Sequence, residues 1–176
     1  EKKNKIILPD EKRVIAYHEA GHAVTGWFLE HAHPLLKVTI VPRGTAALGF
    51  AQYLPKEKYL TLTEELEDDM CMTLGGRASE EVFFGKISTG ALSDLQQVTR
   101  TGYAMVSIYG MNERIGNISF YDPQNESGFQ KPYSEETGKL IDQEVKKLSD
   151  KAYARAKALI EEKKEEVRII AEELLE

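Results

Sequence analysis

Apolar residues recur at helical spacing over most of the chain and alternate only briefly. Over residues 11–30, Val14, Ala20, Val24, Trp27 and Phe28 fall near one face, which predicts a helix. Asp10 is a good N-cap for it, preceded by Pro9, and Pro34 closes the turn that follows. The β-branched stretch 38–41 reads as a short strand and Pro42-Arg43-Gly44 as a turn. Residues 48–53 read as a second strand, antiparallel to the first. A second helix starts near Thr61 or Thr63, where Thr61 and Glu64 fit a capping box, and runs towards Phe84 before Gly85 stops it. Gly75-Gly76 sits inside that helix and weakens its pattern. Thr89-Gly90 opens a third helix that reaches about Tyr109, with Gly110 as its stop. Gly102 in its middle costs about 1 kcal/mol against alanine, so a close packing neighbour is expected there. Residues 118–120 read as a short strand and the polar stretch 122–132 as a mobile loop. Ser134 caps a last helical region, in which Ile141, Val145, Leu148, Ala152, Leu159 and Ile160 keep helical spacing. Its length predicts a turn or kink around 161–164. That region offers more apolar positions than one small core needs. The sum is a mainly α domain with a small β-sheet.

The chain's 176 residues suffice for one domain with a real core. Apolar residues at 41% and charged residues at 30% fit a soluble chain, neither disordered nor membrane-spanning. A net charge of −6 argues against a general nucleic-acid binder, which would be basic. A single cysteine, Cys71, forms no internal disulfide and fits a reducing compartment. No apolar run approaches the roughly 20 residues that cross a bilayer, and no signal peptide is visible. The abrupt charged opening over 1–5 reads as a piece of a longer protein.

Chemistry concentrates in His18-Glu19-Ala20-Gly21-His22. Histidines four apart on a helix stand on one face, one turn apart, and two neutral imidazoles there can share a zinc ion. Glu19 lies beside the first of them, placed to serve as general base without binding the metal. The rival reading is two ordinary surface or core histidines. It is weakened because the chain has only four histidines and two of them flank a glutamate at metal spacing. A catalytic zinc takes three protein ligands and keeps a position open. The extended motif H-E-x-x-H-x-x-G-x-x-H is not completed, because its glycine position is Thr25 and its last histidine position is Phe28. His31 and His33 fall just past the helix end and read as loop residues. A carboxylate is left as the third ligand, and spacing does not choose among the 29 present.

Three segments recur in order in one family. They are Ala16-Tyr17-His18-Glu19-Ala20-Gly21-His22-Ala23, Leu74-Gly75-Gly76-Arg77-Ala78-Ser79-Glu80-Glu81 and Ser88-Thr89-Gly90-Ala91-Leu92-Ser93-Asp94-Leu95. Together they resemble the peptidase domain of the FtsH-type AAA zinc metalloproteases, peptidase family M41. The resemblance covers nearly the whole chain, including Tyr109-Gly110-Met111 and the helical end. It implies an HExxH-helix zinc peptidase domain over 1–176, with 1–10 as lead-in linker and about 134–176 as the C-terminal helical region. The same resemblance implies Asp94 as third zinc ligand. By itself, Asp94 reads equally as a charge complementing the start of the third helix. Glu80 and Glu81 are candidates to orient a ligating histidine, or a solvated helix end. The strand carrying Gly49, Phe50 and Ala51 resembles the family's strand beside the active site. Its edge reads either as a peptide-binding edge or as an ordinary sheet edge.

In this family, transmembrane helices and an ATPase module precede the peptidase domain. No G-x-x-x-x-G-K-[ST] motif is present here, since Gly85-Lys86-Ile87 does not complete one. ATP therefore belongs only to the module absent from this chain, and membrane anchoring only to missing segments. The resemblance implies one zinc per chain, unfolded polypeptides as substrates, processive endopeptidase action and a homo-oligomer, a hexamer. The wording of 88–95 and 118–122 looks closer to bacterial members than to mitochondrial ones. That implies the cytoplasmic side of a bacterial inner membrane, with the mitochondrial inner membrane as alternative. Two rival readings are weaker. A catalytically inactive assembly module is disfavoured by the intact His18, Glu19, His22 and Asp94. A membrane-embedded zinc protease is disfavoured by Glu11, Lys12, Arg13, Glu19 and Glu30 on the metal helix.

Overall fold

The computed structural model describes residues 7–41, 49–54, 58–121 and 131–176. The elements are α1 (Pro9–Phe28), β1 (Leu35–Thr39), β2 (Phe50–Tyr53), α2 (Thr63–Phe84), a 3-10 turn (Thr89–Ala91), α3 (Leu92–Ser107), α4 (Glu135–Glu162) and α5 (Lys164–Leu175). The mainly α architecture with a small sheet is as expected. β1 and β2 pair antiparallel, with Thr39 opposite Phe50 and Leu35 opposite Tyr53. No described helix is long and apolar enough to cross a membrane.

α2 packs against α1, α3 and α4, and α1 lies between α2 and α5 with β1 beside it. α1 is buried without a break from Ala16 to Gly26, not along the single stripe its apolar pattern suggests. Small residues make this possible. A Cβ on Gly21 would stand 2.4 Å from the Gly75 carbonyl oxygen, and one on Gly75 would stand 2.0 Å from Thr25 Oγ1. Gly75 is thus the point of closest approach between α1 and α2, and α2 runs through it unbroken. Gly102 also has its expected neighbour, since a Cβ there would lie 3.0 Å from Val145 Cγ1.

Three apolar clusters form the core. Ala16, Ala20 and Val24 of α1 meet Cys71 and Ala78 of α2, Ile160 of α4, and Val167 and Ala171 of α5. Met70, Leu74, Val98, Met105 and Ala152 join α2, α3 and α4. Val106, Ile115, Ile141 and Val145 close the far end. Most of the apolar stripe of the C-terminal region is used inside the domain, while Ile169 of α5 stays 56% exposed.

Several boundaries differ from the sequence reading. Leu8, not Asp10, is the N-cap of α1; Pro9 takes the first helical position, where its missing N–H costs nothing, and Asp10 and Glu11 face the helix dipole. α1 ends at Phe28, short of Glu30. β1 starts earlier than expected, because pairing with β2 and not β-branching sets its extent. Thr61 and Glu64 form no capping box. Glu65 instead reaches back, its Oε2 accepting from Leu62 N at 3.3 Å. A 3-10 turn precedes α3, which ends at Ser107 and not at Tyr109. Residues 118–120 form no strand. Phe120 N donates to Ser107 O at 2.7 Å, a single contact without a partner strand among the described residues. The expected turn at 42–44 and most of the expected loop at 122–132 lie outside the described residues. Ser134 caps α4 as expected, its Oγ accepting from Thr137 N at 3.1 Å, and the break between α4 and α5 falls at Lys163.

Cys71 is fully buried, and burial pushes its thiol up to about 11. A thiol reacts as thiolate, which forms only as pH rises through the pKa. The native chain should resist Ellman's reagent at about pH 8 and release its single thiol after denaturation. Equal labelling of native and denatured chain would contradict the packing of α2 against α4.

Candidate metal centre

α1 presents His18 and His22 one turn apart, and α3 brings Asp94 to them in its first turn. His18 Nε2 lies 3.0 Å from His22 Nε2 and 3.0 Å from Asp94 Oδ2, and His22 Nε2 lies 3.2 Å from the same oxygen. Both histidines are buried, and Asp94 is nearly so.

Each ring is held from behind. His22 Nδ1 donates to the Met72 carbonyl at 3.0 Å. A carbonyl only accepts, so the hydrogen is on Nδ1 and the Nε2 lone pair points forward. His18 Nδ1 donates to Glu80 Oε2 at 2.7 Å. Burial works to raise the Glu80 pKa, but its bonds to His18 and Ser88 hold it below the ordinary value, so it accepts as a carboxylate. Ser88 Oγ donates to the other Glu80 oxygen and also accepts from Gly90 N at 3.1 Å. It thereby joins the group behind His18 to the turn that leads to Asp94.

Three lone-pair atoms converging on one point repel each other unless something positive sits among them. The place suits a proton or a metal ion. Burial pushes the His18 pKa down, yet Asp94 and Glu80 outweigh it and raise it to about 9. Burial likewise works to raise Asp94, but His18 and His22 hold it well below the carboxylate range. Tetrahedral zinc with ligands at about 2.0–2.1 Å requires donors about 3.3 Å apart. The observed separations and the N, N, O donor set fit that ion. Among the described residues, these three are the one group of histidine, cysteine or carboxylate side chains close enough to hold a metal.

Glu19 is buried beside them, its pKa raised by burial against the pull of His22 and His18. It opens with the three converging residues onto a cleft of about 320 Å³ that Gly49, Phe50 and Ala51 also line. Gly49 lies directly over Glu19, where a Cβ would stand 3.0 Å from Glu19 Cγ. Tyr53, on the same strand, donates to the His22 carbonyl at 2.8 Å and ties β2 to the metal helix.

The remaining candidates separate cleanly. Glu81 points away from the rings, bonded to Tyr153 and paired with Lys157 at 3.3 Å. His31 stands past the end of α1, where its N–H donates to Asp68 at 3.0 Å and its ring pairs with Glu30 at 3.8 Å. The roles of Met72, Ser88 and Tyr53 were not foreseen. Met72 acts through its backbone, which leaves no trace in residue type. Ser88 and Tyr53 are ordinary polar residues whose importance appears only when distant segments meet.

At 61% identity, the whole chain aligns with "ATP-dependent zinc metalloprotease FTSH 10, mitochondrial" of Arabidopsis thaliana, covering 21% of that protein. At 58% it aligns with the mitochondrial inner membrane m-AAA protease component AFG3L2 of Mus musculus, covering 22%. At 54% it aligns with the ATP-dependent zinc metalloprotease FtsH of Rhodothermus marinus, covering 26%. The chain thus spans about a fifth to a quarter of the length of these relatives. The profile of peptidase family M41 matches residues 5–176, and the chain belongs to that family.

Proposed function

We propose that this chain is the zinc endopeptidase domain of an ATP-dependent, membrane-anchored protease that degrades unfolded or damaged proteins processively. One observation carries the reading: three donor atoms from two helices lie within 3.2 Å of one another, with the Glu19 carboxyl beside them. His18, His22 and Asp94 would hold one zinc ion per chain. When bound, zinc lowers the pKa of a water molecule and polarises a scissile carbonyl. Glu19 takes the proton of the attacking water and passes it to the leaving amine. Glu80 and the Met72 carbonyl hold the two rings in the tautomer that leaves Nε2 free to ligate. The strand around Gly49, Phe50 and Ala51 borders the cleft and suits an extended peptide bound through its backbone, which is sequence-tolerant. An inactive assembly module of the same fold is not favoured, because no member of the constellation is missing.

ATP use and membrane anchoring belong to parts of the full-length protein outside these residues, in keeping with the names of its relatives. The protein would assemble as a homo-oligomeric ring, a hexamer by family resemblance. It would sit at a bacterial inner membrane with this domain on the cytoplasmic side. The 58% identity to a mouse mitochondrial inner membrane protease component favours a second reading, the mitochondrial inner membrane.

Metal removal tests the zinc reading directly. Dialysis against a chelator should abolish cleavage of an unfolded peptide by the chain, and a stoichiometric addition of zinc should restore it. Full cleavage by the zinc-free chain would overturn the reading.

A further inference from the structure

α2 meets the two histidines along a single ridge. Met72, Gly76 and Glu80 are four residues apart and therefore stack on one face of that helix. The outer two hold the rings, Met72 through its carbonyl to His22 and Glu80 through its carboxylate to His18. Gly76 lies between them and makes no such bond. A Cβ placed on Gly76 would stand 2.4 Å from His18 Nε2 and 2.6 Å from His22 Nε2. These are the same two nitrogens that converge on Asp94.

We propose that Gly76 is a positioning residue of the metal centre: by carrying no side chain, it leaves free the space in which both ring nitrogens meet one ion. This rests on the zinc reading above. A Cβ at this position would approach both nitrogens almost as closely as zinc does, at about 2.0–2.1 Å. Contacts below 3.0 Å do not persist, so something must move. The obstructed atoms belong to two histidine rings and not to helix backbone, so the rings would yield before the helices, at the cost of their bonds to Glu80 and Met72. Neighbouring Gly75 is different in kind. There a Cβ would meet the Gly21 carbonyl at 2.9 Å as well as Thr25, so the two helices themselves would have to part. Adjacent glycines thus serve separate ends, Gly75 for helix contact and Gly76 for the metal.

The two roles predict opposite outcomes. Alanine is favoured over glycine inside a helix, which offsets part of the cost of moving the rings, so Gly76→Ala should keep a cooperatively folded zinc-free chain. Its zinc affinity should fall about 100-fold or more, the upper range for losing a group that supports a metal ligand. The test uses the 176-residue chain, the Gly76→Ala variant and, as a control, Gly102→Ala in α3, remote from the rings. Each is titrated with zinc against a competing chelator and melted with zinc and with EDTA. Zinc should raise the melting temperature of the parent and of Gly102→Ala, but not of Gly76→Ala. Gly76→Ala binding zinc as tightly as the parent would overturn the inference. So would a zinc-free Gly76→Ala that shows no cooperative melting, since that marks a role in packing the helices. A parent chain that binds no zinc would overturn the zinc reading itself, and this inference with it.

Discussion

Glu19→Gln is expected to lower peptide cleavage about 1,000-fold, within the range for loss of a general base, and to leave zinc bound. Glutamine keeps the length and shape of the side chain, so the cleft and the cover of Gly49 over residue 19 are preserved. It removes only the capacity to take a proton. The converging nitrogen and oxygen atoms come from His18, His22 and Asp94, so metal content should match the parent. Parallel measurements of zinc per chain and of turnover on one preparation separate the two effects. Substantial turnover by a zinc-replete variant would remove Glu19 from the role of base. Loss of zinc along with activity would make it a ligand.

Asp94→Ala is expected to weaken zinc binding by more than about 100-fold, beyond the usual effect of losing a supporting group. Only two imidazoles would remain, one fewer than the three protein ligands of a catalytic site. The alternative role for Asp94, complementing the positive end of α3, makes a different prediction. Loss of that charge alone would slightly lower the stability of the zinc-free fold and leave zinc affinity unchanged, in Asp94→Ala and Asp94→Ser alike. A ligand role predicts that Asp94→Ser loses zinc as Asp94→Ala does. Competition with a chelator distinguishes these outcomes, and an unchanged affinity in Asp94→Ala would send the search to another carboxylate.

The metal motif was legible because its parts are local. His18, Glu19 and His22 lie within one turn and a half of a helix, where spacing alone sets direction. Asp94 was not legible from spacing, since its pairing with His18 spans 76 positions and depends on how α3 docks. It came into view through family resemblance. Helices with one apolar stripe, such as α4, followed their pattern closely. α1 did not, because its stretch 16–26, enclosed by α2, α5 and the sheet, has no solvent face to mark its orientation, and its small residues carry little hydrophobic signal. Gly75-Gly76 illustrates the same difficulty. Read locally, two glycines weaken a helix. In the folded domain one admits the neighbouring helix and the other faces two ring nitrogens, and neither fact is local.

The seat of α5 on α1 has a consequence for biosynthesis. Tyr17, next to His18, donates to Glu172 at 2.7 Å across 155 positions of sequence, and Val167 and Ala171 complete the apolar sheath around Ala16 and Ala20. A ribosome adds about 5–20 residues per second, so Glu172 emerges roughly 8 to 30 seconds after Tyr17. Through that interval α2 can already lie against α1, with Phe83 and Phe84 beside the Tyr17 ring, but the α5 side of the helix stays open. The helix that carries His18 and His22 therefore gains its last neighbour only when the C-terminal residues of this domain have been made, which ties its settled packing to the completion of the domain's own translation.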